Sequence, residues 1–195
     1  MIYIIRHGET AMNSRHVLQG RSDFPLNDRG IAQAEAAARR LAGMGVRFDR
    51  VFSSPLRRTI QTAGIVAPGV TVEADDRLIE MEYGPYEGMS LADPAPEALE
   101  FFKDFAHNPA PEGMEPLQEV VGRLGSFLED VRELAARDDI LVSTHAIAMK
   151  GALEYLTPDS AGGYWSTYIG NCAVYVCEVD ADGAWSVPHE WEGTA

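Results

Sequence analysis

Two histidines stand where apolar runs end abruptly: His7 in MIYIIRHGET and His145 in DDILVSTHA. His7 is flanked by Arg6 and Gly8, and a basic residue, an imidazole and a glycine in succession suit attack by a ring nitrogen on an anion. Gly8 lets the backbone approach closely, and its carbonyl can hold the proton of one ring nitrogen so that the other keeps its lone pair. Neighbouring guanidinium charge disfavours the imidazolium form, which keeps the ring nucleophilic, while Arg6 neutralises the anion. Taken alone, the triplet fits a structural histidine at a strand end equally well.

The elements that must position these side chains alternate along the chain. Met1 to Ile5 reads as a buried parallel strand. Asn27 is a good N-cap for the Ala-rich helix DRGIAQAEAAARRLAGMG, which stops near Gly43 or Gly45. FDRVFS, from Phe48 to Ser53, reads as a second strand, SPLRRTIQTAGIV as a helix with proline near its first turn, and VTVEAD as a short third strand. PLQEVVGRLGSFLEDVRELAAR carries Leu117, Val121, Leu124, Leu128, Val131 and Leu134 on one helical stripe, and DDILVSTHA is a further buried strand. Cys172 to Val179 and Ala184 to Pro188 flank Asp182-Gly183, a hairpin signal. The expected fold is α/β: a three-layer α/β/α sandwich with a mostly parallel central sheet, in one domain over residues 1–195. In such folds ligands sit beyond the carboxyl ends of the strands, where both histidines fall. The segment ADPAPEALEFFKDFAHNPAPEGMEP, with a helix-like piece around Glu97 to Phe105, reads as a small helical cap insertion over about residues 90–116.

With 195 residues, nearly half of them hydrophobic, the chain can bury a full core. Its formal net charge of -14 opposes binding to nucleic acid or an anionic membrane, so an anionic ligand must meet a local basic cluster. Cys172 and Cys177 fall on opposite faces of a strand, which favours neither a disulfide nor a metal pair. MIYII is too short for a signal-peptide core and no run approaches the roughly 18 apolar residues of a membrane span, so a cytoplasmic protein is expected.

RHGETAMN, SSPLRRTIQTA, RLIEMEYGPYEG and LVSTHA are four separated motifs that, in this order, resemble the histidine phosphatase superfamily, also called the phosphoglycerate mutase-like family. RHGETAMN, residues 6–13, is similar to the family signature and is continued by Gln19-Gly20 and by DFPLNDRGIAQA. SSPLRRTIQTA, residues 53–63, places the phosphate-binding arginine on Arg58 rather than Arg57, with Thr59 where alanine is usual. RLIEMEYGPYEG, residues 77–88, puts the acid on Glu80, with Glu82 and Glu87 close by; LVSTHA puts the second histidine on His145, with Ala146 where glycine is commoner. GMEPLQEV is a weaker fifth match.

The resemblance implies catalytic roles for Arg6, His7, Arg58, Glu80 and His145, and substrate contacts from Gly8, Asn13, Gln19, Gly20 and Ala146. His7 attacks phosphorus to give a phosphohistidine; Glu80 protonates the leaving group and then activates water. Arg6, Arg58, His145 and the Asn13 amide supply the donors that phosphoryl transfer needs, so neither a metal nor a cofactor is expected, and the enzyme should tolerate EDTA and be inhibited by vanadate. A carboxyl group beside phosphate tends to stay protonated, which suits an acid. Asn13 serves equally as a loop or helix cap, and the Phe101, Phe102 and Phe105 group reads first as core.

The superfamily contains mutases and hydrolases. Residues 81–116 hold Lys103 as their only cation against Glu82, Glu87, Asp93, Glu97, Glu100, Asp104, Glu112 and Glu115, which predicts poor reception of a second phosphate. The expected activity is hydrolysis of a small phosphomonoester with a neutral, cationic or partly apolar leaving group, of which the alpha-ribazole phosphatase and broad-specificity acid phosphatase branches are two examples. A mutase-type phosphotransferase and a phosphate-binding sensor that has lost the reaction are the alternatives; a metal-dependent hydrolase is weaker, since an arginine-rich pocket repels cations.

Overall fold

The computed structural model describes residues 1–105, 107–157 and 163–191. Ala106 of the expected cap and the last four residues of the expected domain lie outside the described residues. Strands β1 (Ile2–Arg6), β2 (Arg50–Ser53), β3 (Val72–Ala74), β4 (Ile140–Thr144), β5 (Val174–Cys177) and β6 (His189–Glu190) form one sheet in the order β3-β2-β4-β1-β5-β6. The β1/β4, β2/β4 and β2/β3 pairs are parallel; β5 and β6 add an antiparallel edge. The fold is thus the expected α/β architecture with a mostly parallel sheet.

Alternation along β1 makes the layers. Ile2 and Ile4 face one core with Val142, Phe127 and Leu128, while Tyr3 and Ile5 face the other with Ala34, Leu41 and Ala63. α2 (Asp28–Gly43) and α3 (Arg57–Val66) cover the second face; α5 (Leu117–Ala135) and α6 (Ala146–Leu156) cover the first. Asn27 caps α2 as expected, its side chain accepting from the Gly30 N–H at 2.8 Å. The buried stripe of α5 is rotated from the expected one: Val120 and Phe127 are buried, whereas Val121 and Leu134 are only partly so.

Four further features depart from the expectations. α1 (Ala11–Ser14) is a single turn closed by a capping box, in which Thr10 Oγ1 accepts from the Asn13 N–H and Asn13 Oδ1 accepts from the Thr10 N–H. α6 is buried nearly all round and so shows no amphipathic stripe to announce it. The expected hairpin is only partly formed: Val179 and Trp185 make an isolated bridge, and the second strand lies at His189–Glu190 instead of Ala184–Pro188. Asp180 explains this by accepting from the Asp182 and Ala184 N–H groups, which widens the turn, and Pro188 has no N–H to extend a ladder. Cys172 precedes β5 with φ of 56°, so it lies outside the strand that was expected to hold both cysteines.

α4 (Pro96–Lys103) occupies the expected cap and buries Ala98 and Phe101 in the same core as α5 and α6. Among the described residues no helix is long and apolar enough to cross a membrane.

Candidate active site

His7 lies one residue beyond β1, and its N–H continues the ladder to the Thr144 carbonyl at 3.0 Å, which sets it beside the end of β4. His145 follows β4 and is the N-cap residue of α6; the two imidazole centroids are 5.2 Å apart at an interplanar angle of 63°. Parallel pairing of Arg6 with Thr144 is what brings together two histidines separated by most of the chain. Gly8 allows the arrangement sterically, since a Cβ there would stand 2.4 Å from the Gly30 carbonyl oxygen at the start of α2.

The side chains converge on a cavity of about 390 Å³. Arg6, His7, Asn13, Gln19, Gly20, Arg58, Glu80 and Ala146 line it. Gly8 and His145 are the two expected site residues that do not; they pack directly behind the lining. His7 Nδ1 sits 2.7 Å from the Gly8 carbonyl, an acceptor only, so Nδ1 carries the proton and Nε2 holds the lone pair. Burial first, then the Arg58 and Arg6 charges, hold the His7 pKa well below 6.5 against the opposing Gly8 bond. His145 is likewise lowered by burial and by Arg58.

Arg58 is 1% exposed, with Nη1 donating to the Ser22 carbonyl and Nη2 to the Gly20 carbonyl, each at 2.7 Å. Arg6 donates Nη1 to the Ile169 carbonyl at 2.5 Å, while its buried Nε finds no acceptor among the described residues. A buried donor of this kind is costly unless an anion accepts from it. Glu80 accepts from the Met81, Ala148 and Ile147 N–H groups at 2.9, 3.0 and 3.3 Å, so the first turn of α6 orients the carboxyl group. Asn13 Oδ1 is engaged by the α1 cap, leaving the NH₂ end of that amide as its contribution to the cavity. Gln19 Oε1 accepts from the Thr10 hydroxyl at 2.8 Å.

Ser54, Tyr83 and Asn171 were not anticipated as participants. Ser54 Oγ lies 2.8 Å from His145 Nε2. Tyr83 is buried in the wall, its pKa raised well above 10 by burial and by Glu80. Asn171 donates to the His7 carbonyl at 3.0 Å. Val17, Leu18, Leu91, Pro94, Leu99, Phe102, Phe105 and Ile147 make the rest of the wall apolar. Phe102 and Phe105 therefore face the cavity, whereas Phe101 is core. Only the tertiary arrangement distinguishes the three.

The reason for expecting a second phosphate to be repelled needs correction. None of the eight acids of residues 81–116 lines the cavity. Glu82 and Glu115 pair with Arg21 at 2.7 and 3.3 Å, and Glu115 also pairs with Arg123 at 2.7 Å. What the segment presents to the cavity is apolar surface. Among the described residues no group of three or more His, Cys, Asp or Glu side chains is arranged to hold a metal ion.

Known proteins share this fold. The model of the histidine phosphatase superfamily (branch 1) matches residues 2–191. A Yersinia pestis protein named "Probable phosphoglycerate mutase GpmB" is 33% identical over 179 residues, covering 89% of this chain and 82% of its own. The Bacillus stearothermophilus YhfR structure superposes with a TM-score of 0.85 at 26% identity, covering 95% of this chain and 94% of that one. Entamoeba histolytica phosphoserine phosphatase, solved in complex with phosphoserine, shares the fold with a TM-score of 0.82 at 23% identity, covering 98% of this chain and 94% of that one. The chain belongs to the histidine phosphatase superfamily.

Proposed function

We propose that the protein is a metal-independent phosphatase that hydrolyses a small phosphomonoester through a phosphohistidine. The observation that carries this reading is the His7 Nδ1–H held by the Gly8 carbonyl at 2.7 Å, which leaves Nε2 as a neutral nucleophile beside two guanidinium groups. Nε2 attacks phosphorus; the P–N bond forms as the ester P–O bond breaks, and Glu80 gives its proton to the leaving oxygen. The Gly8 carbonyl stabilises the positive charge that develops on the ring. Arg6 and Arg58 take the charge of the equatorial oxygens. In the second step Glu80 removes a proton from water, the water oxygen bonds to phosphorus, and the P–N bond breaks to release phosphate and neutral His7.

Asn13, Gln19, Gly20 and Ala146 border the phosphate, and His145 supports the cradle from behind. Residues of about 90–116 act as the cap of a single domain and select the leaving group. Their wall of Leu91, Pro94, Leu99, Phe102 and Phe105 favours a neutral or partly apolar one. Two free cysteines fit work in the cytoplasm.

The name of the Yersinia pestis relative favours a second reading, phosphoglycerate mutase. A mutase must hold a bisphosphate, and the arginines that line the cavity, Arg6 and Arg58, stand together at the His7 end. Hydrolysis of p-nitrophenyl phosphate in EDTA by wild type and His7→Ala tests the first reading, with turnover expected from wild type alone. A screen of natural phosphomonoesters follows, including 3-phosphoglycerate with and without a bisphosphorylated primer. Isomerisation of 3-phosphoglycerate faster than phosphate release would select the mutase.

A further inference from the structure

Arg58 is a buried guanidinium whose two terminal nitrogens are held by backbone carbonyls, those of Gly20 and Ser22, with no carboxylate in contact. Its place therefore depends on how firmly the loop of residues 20–22 is held. One side chain, Glu87, binds the backbone of that loop at two successive N–H groups. Glu87 Oε1 accepts from the Arg21 N–H at 2.8 Å, while Oε2 accepts from the Ser22 N–H at 3.1 Å and the Ser22 hydroxyl at 2.6 Å. The Arg21 guanidinium points elsewhere, to Glu82 and Glu115, so Glu87 acts on the loop backbone rather than through an ion pair with that arginine.

Local geometry makes the contact specific. Gly20 has φ of 53°, and a Cβ there would fall 2.2 Å from Glu87 Oε1, so the carboxylate lies directly against the loop. Beside it the two segments are stitched at Leu18, whose N–H donates to the Met89 carbonyl at 2.9 Å and whose carbonyl accepts from the Gly88 N–H at 2.8 Å. Glu87 also helps to balance the Arg58 charge, one of three acids that do so.

We infer that Glu87 is a positioning residue for the phosphate cradle, acting on Arg58 through the carbonyls of Gly20 and Ser22. The inference rests on the reading of Arg58 as a phosphate ligand. It assigns a role to the third glutamate of RLIEMEYGPYEG that neither acid catalysis nor substrate contact requires.

The test compares wild type, Glu87→Gln and a control variant by vanadate calorimetry, p-nitrophenyl phosphate kinetics and the Arg58 Nε–H resonance. The control is Glu112→Gln: unlike Glu82, which pairs with Arg21, Glu112 is exposed and is joined to residues 20–22 by no hydrogen bond or ion pair among the described residues. Glu87→Gln loses one acceptor and turns an NH₂ group towards the loop donors. The expected result is a vanadate Kd weakened about tenfold, a kcat lower by about tenfold to a hundredfold, and fast exchange of the Arg58 Nε–H. Glu112→Gln should match wild type in all three. Partial unfolding would lower the number of vanadate sites without changing their Kd, which separates positioning from simple loss of stability. Wild-type Kd, kcat and Nε–H exchange in Glu87→Gln would overturn the inference. Wild type that neither binds vanadate nor turns over would instead overturn the phosphatase reading, and the Nε–H exchange alone would then decide whether Glu87 holds Arg58.

Discussion

Arg58 Nε donates to His145 Nδ1 across 3.2 Å, and this hydrogen bond assigns the tautomer of the second histidine. With Nδ1 accepting, the proton sits on Nε2 and is donated to Ser54 Oγ at 2.8 Å. Arg58 thus reaches three acceptors at once: His145, Gly20 and Ser22. A lysine carries the same charge but cannot span that fork. Arg58→Lys should lower kcat on p-nitrophenyl phosphate by about 10²-fold or more, and should lower Tm because two buried carbonyls lose their donors. Steady-state kinetics and thermal melts of the purified variant check both.

The depressed pKa of His7 predicts acid lability. Below its ordinary value of 6.5 the unfolded chain binds a proton that the folded state refuses, so stability falls as pH drops through 6.5 towards the lower folded value. His145 adds a contribution of the same sign. His7→Ala should therefore lose less Tm between pH 7 and pH 5 than wild type does. An equal loss in the two proteins would count against a neutral, buried His7.

Assignment of the acid predicts a dependence on the leaving group. Glu80→Gln keeps an oxygen for the Ala148 N–H but has no proton to transfer. Alkyl phosphates, whose leaving oxygen needs protonation, should slow by about 10²-fold to 10⁴-fold. p-Nitrophenyl phosphate, with a good leaving group, should slow much less. Equal losses on both substrates would move the acid role elsewhere.

The apolar wall predicts how specificity can be moved. Phe102→Ala should raise KM for aryl phosphates with little change in kcat, because it removes binding shared by ground and transition states. Leu99 lies at the cavity and is 39% exposed, so Leu99→Lys adds a cation with little cost to the core. It should raise kcat/KM for carboxylate-bearing phosphomonoesters relative to p-nitrophenyl phosphate.

Lys150 offers a stability test on α6. It is 8% exposed, donates to the Trp165 carbonyl at 2.7 Å and stands 5.4 Å from the Phe105 ring centroid. Burial brings its pKa down from 10.5 to about 8. Between those values the unfolded chain holds a proton that the fold lacks, so stability from this group rises with pH across the window. Below pH 8 the full penalty, on the order of 3 kcal/mol, is present. Lys150→Met removes it, while the lost bond to Trp165 costs the same at every pH. The variant's Tm relative to wild type should be higher at pH 7 than at pH 10.

By itself the sequence determined the parallel part of the sheet and which residues stand at its carboxyl edge. Unbroken apolar runs become β1 and β4 because strands covered on both faces admit few polar residues, and each run ends at a histidine because the pocket begins where the strand stops. Asn27 and the Ala-rich run were enough for α2. Arg6, His7, Arg58 and Glu80 were legible from local motifs, since each motif carries its own turn or cap. Tertiary structure decided the rest. α6 has no amphipathic period because it is buried on nearly all sides. None of the eight acids of residues 81–116 lines the cavity, and two of them, Glu82 and Glu115, are engaged by Arg21 and Arg123, distant in sequence. Of three neighbouring phenylalanines, two face the cavity and one fills the core, a division set by how α4 packs against α5 and the Trp165 segment. Which side of a short helix meets substrate is a property of its neighbours, and neighbours far along the chain leave no local pattern.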